Sequence, residues 1–373
     1  MAGDRTIRIP VAVGEAPAAG YDVIIERGAL ARLAAFSAAA APGRRWAILT
    51  DTTVRDLWGG AALASFESAG LDAQTVAFEP GEASKTRATW AVLTDRLVEL
   101  GYGRDSGIVA LGGGVAGDLA GFVAATWMRG VPLVHAPTTL LAMVDASVGG
   151  KTGVDVPAGK NLVGAFKWPA VVVVDPTVLR TLPDDVYRAG FAESVKHAAV
   201  ADADHLAWLE AQVGALLRRD ESALAALIRR SVEIKASVVS RDPVESGLRA
   251  ILNFGHTVGH ALERQSDYRL PHGFAVAIGM VSESRLGERL GLTRPGTAER
   301  LATLLARLGL PVAVPPDLPA DAIVGHAWRD KKNRGSRIHC ALVARPGEPA
   351  RTEAGEWAVP VSEGDLRECL APF

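Results

Sequence analysis

Apolar and polar positions alternate along residues 6–13 and 21–27, either side of a Gly- and Pro-containing stretch, which predicts an antiparallel hairpin. Beyond it the alternation gives way to short apolar runs at Trp46–Thr50, Thr75–Phe78, Gly107–Leu111, Pro132–Ala136 and Val171–Val174. Runs that short, with no polar face, read as strands buried on both sides. Helical periodicity fills the gaps at roughly 53–69, 86–101, 116–127 and 139–146. Strands alternating with helices predict a parallel α/β sheet, with ligand groups gathered at the carboxyl ends of the strands. Past about residue 185 the texture changes. Val186–Val200, Ala203–Arg218, Glu221–Asp242, Ser246–Arg264, His272–Leu290, Ala298–Leu308 and Asp321–Trp328 carry helical periodicity, and only Ser336–Ala344 reads as extended. The expected organisation is an α/β domain over 1–185 and a mainly helical domain over 186–373.

Bulk chemistry narrows the function classes. A length of 373 residues suits two domains, and 49% hydrophobic with 22% charged residues is ordinary for a globular chain. The formal net charge of −2 gives no whole-chain attraction to nucleic acid or membrane. The two cysteines, Cys340 and Cys369, have no metal or redox spacing and fit a reducing compartment. No signal-peptide layout opens the chain and no apolar run is long enough to span a membrane, so a cytoplasmic protein is expected.

The candidate chemistry sits at strand ends and on one helix. G-G-G-V-A-G-D, Gly112 to Asp118, follows a strand and opens a helix; it is either a tight turn or a phosphate cradle. Asp51, Glu82, Lys85, Thr138 and Thr139 fall at other strand ends, which favours a dinucleotide site. Val144–Asn161 is glycine-rich and carries Lys151, Lys160 and Asn161; it lacks the first glycine of a P-loop and reads as an anion cradle or a solvated loop. Arg249, Asn253, His256 and His260 sit at steps of four, three and four, one polar stripe on an otherwise apolar helix. Such a stripe is either an internally satisfied network or the wall of a site. His256 and His260 are spaced to share one metal ion, with His272 behind Pro271 and Glu193 of A-E-S-V-K as a possible carboxylate ligand. Lys196, Lys235 and Arg249 offer cations to an anionic substrate, Glu245 stands four residues before Arg249, and Arg129 ends a helix. Lys331, Lys332, Arg334 and Arg337 form a late basic cluster that also fits a solvated charge run. Together these residues predict a metal- and NAD-type enzyme acting on a small polyanion.

The chain resembles the 3-dehydroquinate synthase family of sugar phosphate cyclases. The resemblance rests on P-G-E-A-S-K-T, G-G-G-V-A-G-D-L-A-G-F, M-R-G, P-T-T-L-L-A, V-D-A-S-V-G-G-K-T-G, G-K-N, T-L-P, A-E-S-V-K, I-K-A, L-N-F-G-H-T-V-G-H-A-L-E, H-G and D-K-K. It implies a Rossmann-like NAD domain and a helical metal domain, NAD as cofactor, and a zinc or cobalt ion held by Glu193, His256 and His272. Implied NAD contacts are Asp51, Glu82, Lys85, Gly114, Val115, Gly117, Asp118, Thr138, Thr139, Lys151, Lys160 and Thr181. Substrate would be held by Lys151, Asn161, Lys235, Arg249 and one of Lys331 or Lys332, with Arg129 reaching a second subunit of a homodimer. Asp145, Lys196, Glu245, Asn253 and His260 are the implied catalytic groups, with His260 as proton relay. The sequence departs from the family pattern at Phe274, where Glu is usual, at Asp155, where Asn is common, and at Thr53.

The implied reaction converts 3-deoxy-D-arabino-heptulosonate 7-phosphate to 3-dehydroquinate and phosphate. Three other readings compete: a cyclase with an aminodehydroquinate, valiolone or inosose product, a metal-dependent polyol dehydrogenase, and an idle NAD-binding regulator. Intact Lys235, Arg249, Asn253 and His260 favour the synthase over the valiolone and inosose cyclases.

Overall fold

The structure is a computed structural model that describes residues 6–14, 20–328 and 337–370. Its contacts divide into two units: one runs to Leu182 and includes Lys235–Ser240, the other holds Pro183–Ile234 and the chain from Arg241 onward.

The first unit is built on a seven-stranded sheet in the order β1-β2-β9-β6-β5-β3-β4. The strands are β1 (Ile7–Ala12), β2 (Gly20–Ile25), β3 (Arg45–Asp51), β4 (Ala73–Phe78), β5 (Ser106–Gly112), β6 (Leu133–Pro137) and β9 (Val171–Val174). β1 and β2 form the expected antiparallel pair, with Ile9 opposite Val23. The other neighbouring pairs are parallel. All seven residues of β5 and all four of β9 are buried, which is why they carry no alternation. Helices Arg87–Glu99 and Gly114–Thr126 pack on this sheet through Leu93, Leu97, Leu119, Ala120 and Val123.

One sequence expectation fails in this unit. Val144–Asn161 is expected as a glycine-rich anion cradle or loop, but from Lys151 onward the chain folds as an antiparallel hairpin of β7 (Lys151–Val156) and β8 (Gly159–Phe166). Gly153 and Gly164 face each other there, and a Cβ on Gly153 would stand 2.8 Å from the Val163 carbonyl oxygen. The helix expected over 139–146 is present at residues 140–146 and widens to π-type geometry over Ala142–Ala146.

The second unit is mainly helical, with helices Asp184–Ala201, Ala203–Leu217, His256–Gln265, His272–Arg289, Thr297–Arg307 and Ala320–Trp328. The helices His256–Gln265, His272–Arg289 and Ala320–Trp328 share a core with the C-terminal helix Glu363–Cys369 through Val258, Leu262, Ile278, Leu286, Ile323 and Leu366. The extended stretch is larger than expected: Ile338–Ala341 pairs with Ala358–Val361, and Val343–Arg345 with Glu348–Pro349. The segment Ser246–Arg264 is not one helix. Leu248–Asn253 is a tight 3₁₀ stretch, and the chain then breaks at Gly255, whose φ is +79°, before the His256 helix begins. Arg249 and Asn253 therefore do not share a helical stripe with His256 and His260.

Candidate active site

In the sheet unit, register decides which groups meet. Asp51 pairs with Phe78, Thr50 with Leu111, and Gly112 with Pro137, so β3, β4, β5 and β6 end together. Asp51, Glu82, the Gly112–Gly114 turn and Thr138 leave the sheet at that common edge. Gly113 precedes a helix of 13 residues whose N-terminus has no side-chain cap and no acidic residue in its first turn. A cleft at this turn is lined by Gly112, Gly113, Gly114, Gly117, His135 and Ser147. A Cβ on Gly113 would approach Thr139 Cγ2 to 3.0 Å, so the turn packs closely against Thr139. An uncapped helix N-terminus opening from a glycine turn favours an anion such as a pyrophosphate.

Several of the predicted cofactor residues belong to one ionic network. Lys85 Nζ lies 3.0 Å from Glu82 Oε1, 3.3 Å from Asp118 Oδ2 and 3.6 Å from Asp155 Oδ1, and Lys160 Nζ lies 3.1 Å from Glu82. Burial disfavours charge on Lys85, but its three carboxylate neighbours outweigh this and raise its pKa. Burial raises the Asp118 and Asp155 carboxyls, and Lys85 only partly offsets it. Burial also acts on Glu82, yet Lys85 and Lys160 overcome it and lower that carboxyl. Asp155 further accepts the backbone N–H of Asn161 at 2.8 Å, and Asn161 holds a left-handed φ of +53°. Thr181 accepts from Trp58 Nε1 at 3.1 Å. Lys235, within the segment that groups with this unit, reaches Asp145 Oδ1 at 2.9 Å and its carbonyl oxygen at 2.6 Å. Lys151 is exposed at the start of β7. The helix before Arg129 ends at Thr126; Met128 and Arg129 then both take left-handed φ, +50° and +68°. Tyr21, absent from the sequence reading, accepts the Gly149 N–H at 3.0 Å and anchors the loop ahead of Lys151.

In the helical unit, Glu193 and Lys196 lie one turn apart on the Asp184–Ala201 helix, both buried and ion-paired. His256 is the first residue of its helix and His272 the first of the next. Two glycines let these helices converge. A Cβ on Gly279 would collide with the Gly255 carbonyl, and one on Gly273 with the Ala189 carbonyl. His256 Nδ1 lies 3.1 Å from the Phe254 carbonyl, which can only accept, so Nε2 carries the lone pair. That Nε2 is 3.6 Å from Glu193 Oε1, and His272 Nε2 is 3.3 Å from the same oxygen. Ligand atoms of Glu193, His256 and His272 all fall within 4.8 Å of one another. One carboxylate and two imidazoles are a donor set suited to zinc or cobalt.

Electrostatics separate the two imidazoles. Burial lowers the His256 pKa well below its usual value, and Lys196 adds to this, so the ring is neutral and ready to ligate. Burial opposes charge on His272 too, but Glu263 and Glu193 prevail and raise it to about 10. A second set, His260, Glu263 and His272, is also within 4.8 Å. The His256 and His260 rings are 5.1 Å apart, centre to centre. Sequence pattern pairs those two rings; His272 lies almost as near, at 5.4 Å, and it is the ligand atoms of His256, His272 and Glu193 that group within 4.8 Å. Phe274 supplies no carboxylate beside His272; Glu263 does, at 3.1 Å from Nδ1.

A loop anchored by Asp242 carries the remaining residues. Its carboxylate accepts the N–H groups of Ser246 (2.8 Å), Gly247 (2.8 Å) and Arg249 (2.9 Å). Arg249 Nη1 donates to the Pro243 carbonyl at 2.7 Å, and Asn253 Nδ2 to Glu245 Oε1 at 3.1 Å. Glu245 is held at φ +60°. Lys331 and Lys332 lie outside the described residues.

Fold and site together define a sugar phosphate cyclase. Two family models match in tandem, 3-dehydroquinate synthase N-terminal over residues 75–189 and 3-dehydroquinate synthase C-terminal over 190–333. The 3-dehydroquinate synthase of Symbiobacterium thermophilum is 47% identical over 330 residues, 88% of this chain and 92% of that protein. Among solved structures, 2-deoxy-scyllo-inosose synthase complexed with carbaglucose-6-phosphate, NAD+ and Co2+ superposes with a TM-score of 0.89 at 26% identity, covering 98% of this chain and 99% of that one. The 2-epi-5-epi-valiolone synthase ValA of Streptomyces hygroscopicus subsp. jinggangensis 5008, with NAD+ and Zn2+ bound, gives 0.83 at 29% identity over 96% and 98% of the two chains. The chain belongs to the 3-dehydroquinate synthase family.

Proposed function

We propose that this chain converts 3-deoxy-D-arabino-heptulosonate 7-phosphate to 3-dehydroquinate and inorganic phosphate, using NAD and a divalent metal ion. The observation that carries the reading is the Glu193–His256–His272 donor set beside Lys196, in a chain 47% identical to a named synthase. Glu193, His256 and His272 would hold the metal; Asp51, Glu82, Lys85, Gly114, Val115, Gly117, Asp118, Thr138, Thr139, Lys151, Lys160 and Thr181 would hold NAD. When bound, NAD supplies reversible hydride transfer and the metal supplies Lewis-acid polarisation of a substrate hydroxyl.

The chain's own side chains bind, orient and move protons. Lys151, Asn161, Lys235, Arg249 and one of Lys331 or Lys332 hold the substrate's carboxylate and phosphate by charge-assisted hydrogen bonds. The Lys235–Asp145 and Asn253–Glu245 contacts keep these groups aligned before substrate arrives. His260, one helical turn beyond His256, relays the proton of the substrate hydroxyl, and Asp145, Lys196, Glu245 and Asn253 position the reacting groups. A homodimer fits the strained Met128–Arg129 turn, with Arg129 offered to the second copy's site. No helix among the described residues is long and apolar enough to cross a membrane, and a cytoplasmic enzyme fits this.

The test is phosphate release from the heptulosonate 7-phosphate with NAD+ and zinc, run beside sedoheptulose 7-phosphate. Phosphate from the first substrate alone, with no net NADH absorbance, is expected. Accumulating NADH indicates a polyol dehydrogenase, and turnover of sedoheptulose 7-phosphate indicates a valiolone-type cyclase; either rejects the reading.

A further inference from the structure

Two possible metal sets share His272, and an imidazole can direct one nitrogen at a given ion. The geometry points to a division of labour: Glu263 is a positioning residue that fixes His272 through Nδ1, leaving Nε2 for the ion held with Glu193 and His256. This rests on the metal-site reading above.

Glu263 lies on the same face as His256 and His260, seven and three residues on, and is buried. Its Oε2 is 3.1 Å from His272 Nδ1. An ionised carboxylate can only accept, so Nδ1 keeps its hydrogen and Nε2 is the nitrogen left to give up a proton and face an ion. Nε2 in turn lies 3.3 Å from Glu193 Oε1. His256 is fixed in the same sense by the Phe254 carbonyl, so both imidazoles present Nε2 to one carboxylate oxygen. For Glu263 to be a ligand, it would have to release His272 Nδ1 and leave Glu193 with one imidazole.

Glu263 also determines where His272 stands. Its backbone carbonyl accepts the Tyr268 N–H at 2.8 Å and the Ser266 hydroxyl at 3.0 Å. Asp267 and Tyr268 hold left-handed φ values of +50° and +59° in the turn this creates. The chain then reaches Pro271 and His272. One residue thus closes the connection by its main chain and orients the imidazole at its far end by its side chain. Metal-bound histidines depend on such outer carboxylates for tautomer and ring angle.

The experiment measures zinc affinity of the full chain by competition with a chromophoric chelator, for wild type, Glu263→Ala, Glu263→Gln and His256→Ala. Wild type should bind one zinc per chain. Glu263→Ala should weaken binding by about 10- to 100-fold at unchanged stoichiometry. Glu263→Gln should weaken it less, because its amide oxygen still accepts from Nδ1, and should carry the test if the alanine variant does not fold. His256→Ala, which removes a ligand, should weaken binding more than either. Wild-type affinity in both Glu263 variants, with loss in His256→Ala, overturns this inference alone. Loss of the zinc equivalent in Glu263→Gln, as severe as in His256→Ala, makes Glu263 a ligand and also overturns it. Wild-type affinity in His256→Ala rejects the underlying site as well.

Discussion

Glu283 accepts the backbone N–H of Gly255 at 2.6 Å, and this contact fixes the point at which the His256 helix begins. The same carboxylate takes the Val258 N–H at 3.0 Å. Gly255 has no side chain to cap the helix, so a buried anion from the neighbouring helix does it, at the end where the helix dipole favours negative charge. Glu283→Ala strands two buried donors. It should lower unfolding free energy by about 3 kcal/mol and weaken zinc binding with it, measured by urea denaturation and chelator competition. Glu283→Gln, which keeps one acceptor, should fall between.

His272 is expected to be indispensable for metal use. His272→Ala leaves Glu193 with one imidazole and should abolish metal-dependent phosphate release while leaving a folded chain, judged by circular dichroism. Wild type stripped with a chelator should lose phosphate release and regain it with Zn2+ or Co2+. Full activity of the variant without bound metal would sink the assignment.

The nucleotide half of the site was legible in the sequence because its chemistry is local. A buried strand, a glycine turn and a helix follow one another from Ser106 to Thr126, and parallel register then aligns Asp51 and Thr138 with that turn. The metal half was not legible from spacing. Periodicity ran Arg249, Asn253, His256 and His260 into one stripe, because no i, i+4 pattern reveals the positive φ of Gly255. The ligand trio emerged only from resemblance, since Glu193 comes from another helix brought close by Gly273 against Ala189. Glu263 escaped notice because a charged residue near a helix end ordinarily reads as solvated. The hairpin β7–β8 was hidden by its glycines, which leave alternation without side chains to mark it.

The glycines that let the metal helices converge should tolerate no side chain. Gly279→Ala would place a methyl into the Gly255 carbonyl, and rigid backbone stands on both sides. The expected loss exceeds the roughly 1–3 kcal/mol of ordinary overpacking, with reduced soluble yield and a lower Tm. Gly60→Ala, whose Cβ would meet nothing within 4 Å, is the control and should be near neutral.

His135 should make stability fall in mild acid. Burial depresses its pKa from 6.5 to about 4, so the folded chain refuses a proton that the unfolded chain accepts between those values. Stability is therefore at its full level above pH 6.5 and is lost as pH drops toward 4, by about 2 kcal/mol at pH 5 relative to pH 8. Urea midpoints of wild type and His135→Gln at the two pH values check this; the variant should lose this component of the pH slope.

Lys85 and Asp155 should respond in opposite directions. Lys85 is buried among three carboxylates, and Lys160 reaches Glu82 and acts on Asp155, so two ammonium groups face three carboxylates. Lys85→Met leaves like charges with no central counter-ion and should destabilise by about 3–5 kcal/mol at neutral pH, with weakened NAD+ binding. Asp155 carries the surplus charge. Burial raises its carboxyl pKa, and Lys85 only partly offsets this, so its contribution is best below the carboxylate range and is eroded as pH rises through the raised value. Asp155→Asn removes the surplus charge and keeps an oxygen to accept the Asn161 N–H. It should leave stability unchanged or raise it by up to about 1 kcal/mol at neutral pH, and lose that advantage in acid. A drop in the urea midpoint of Asp155→Asn at neutral pH would show that Lys85 needs all three carboxylates.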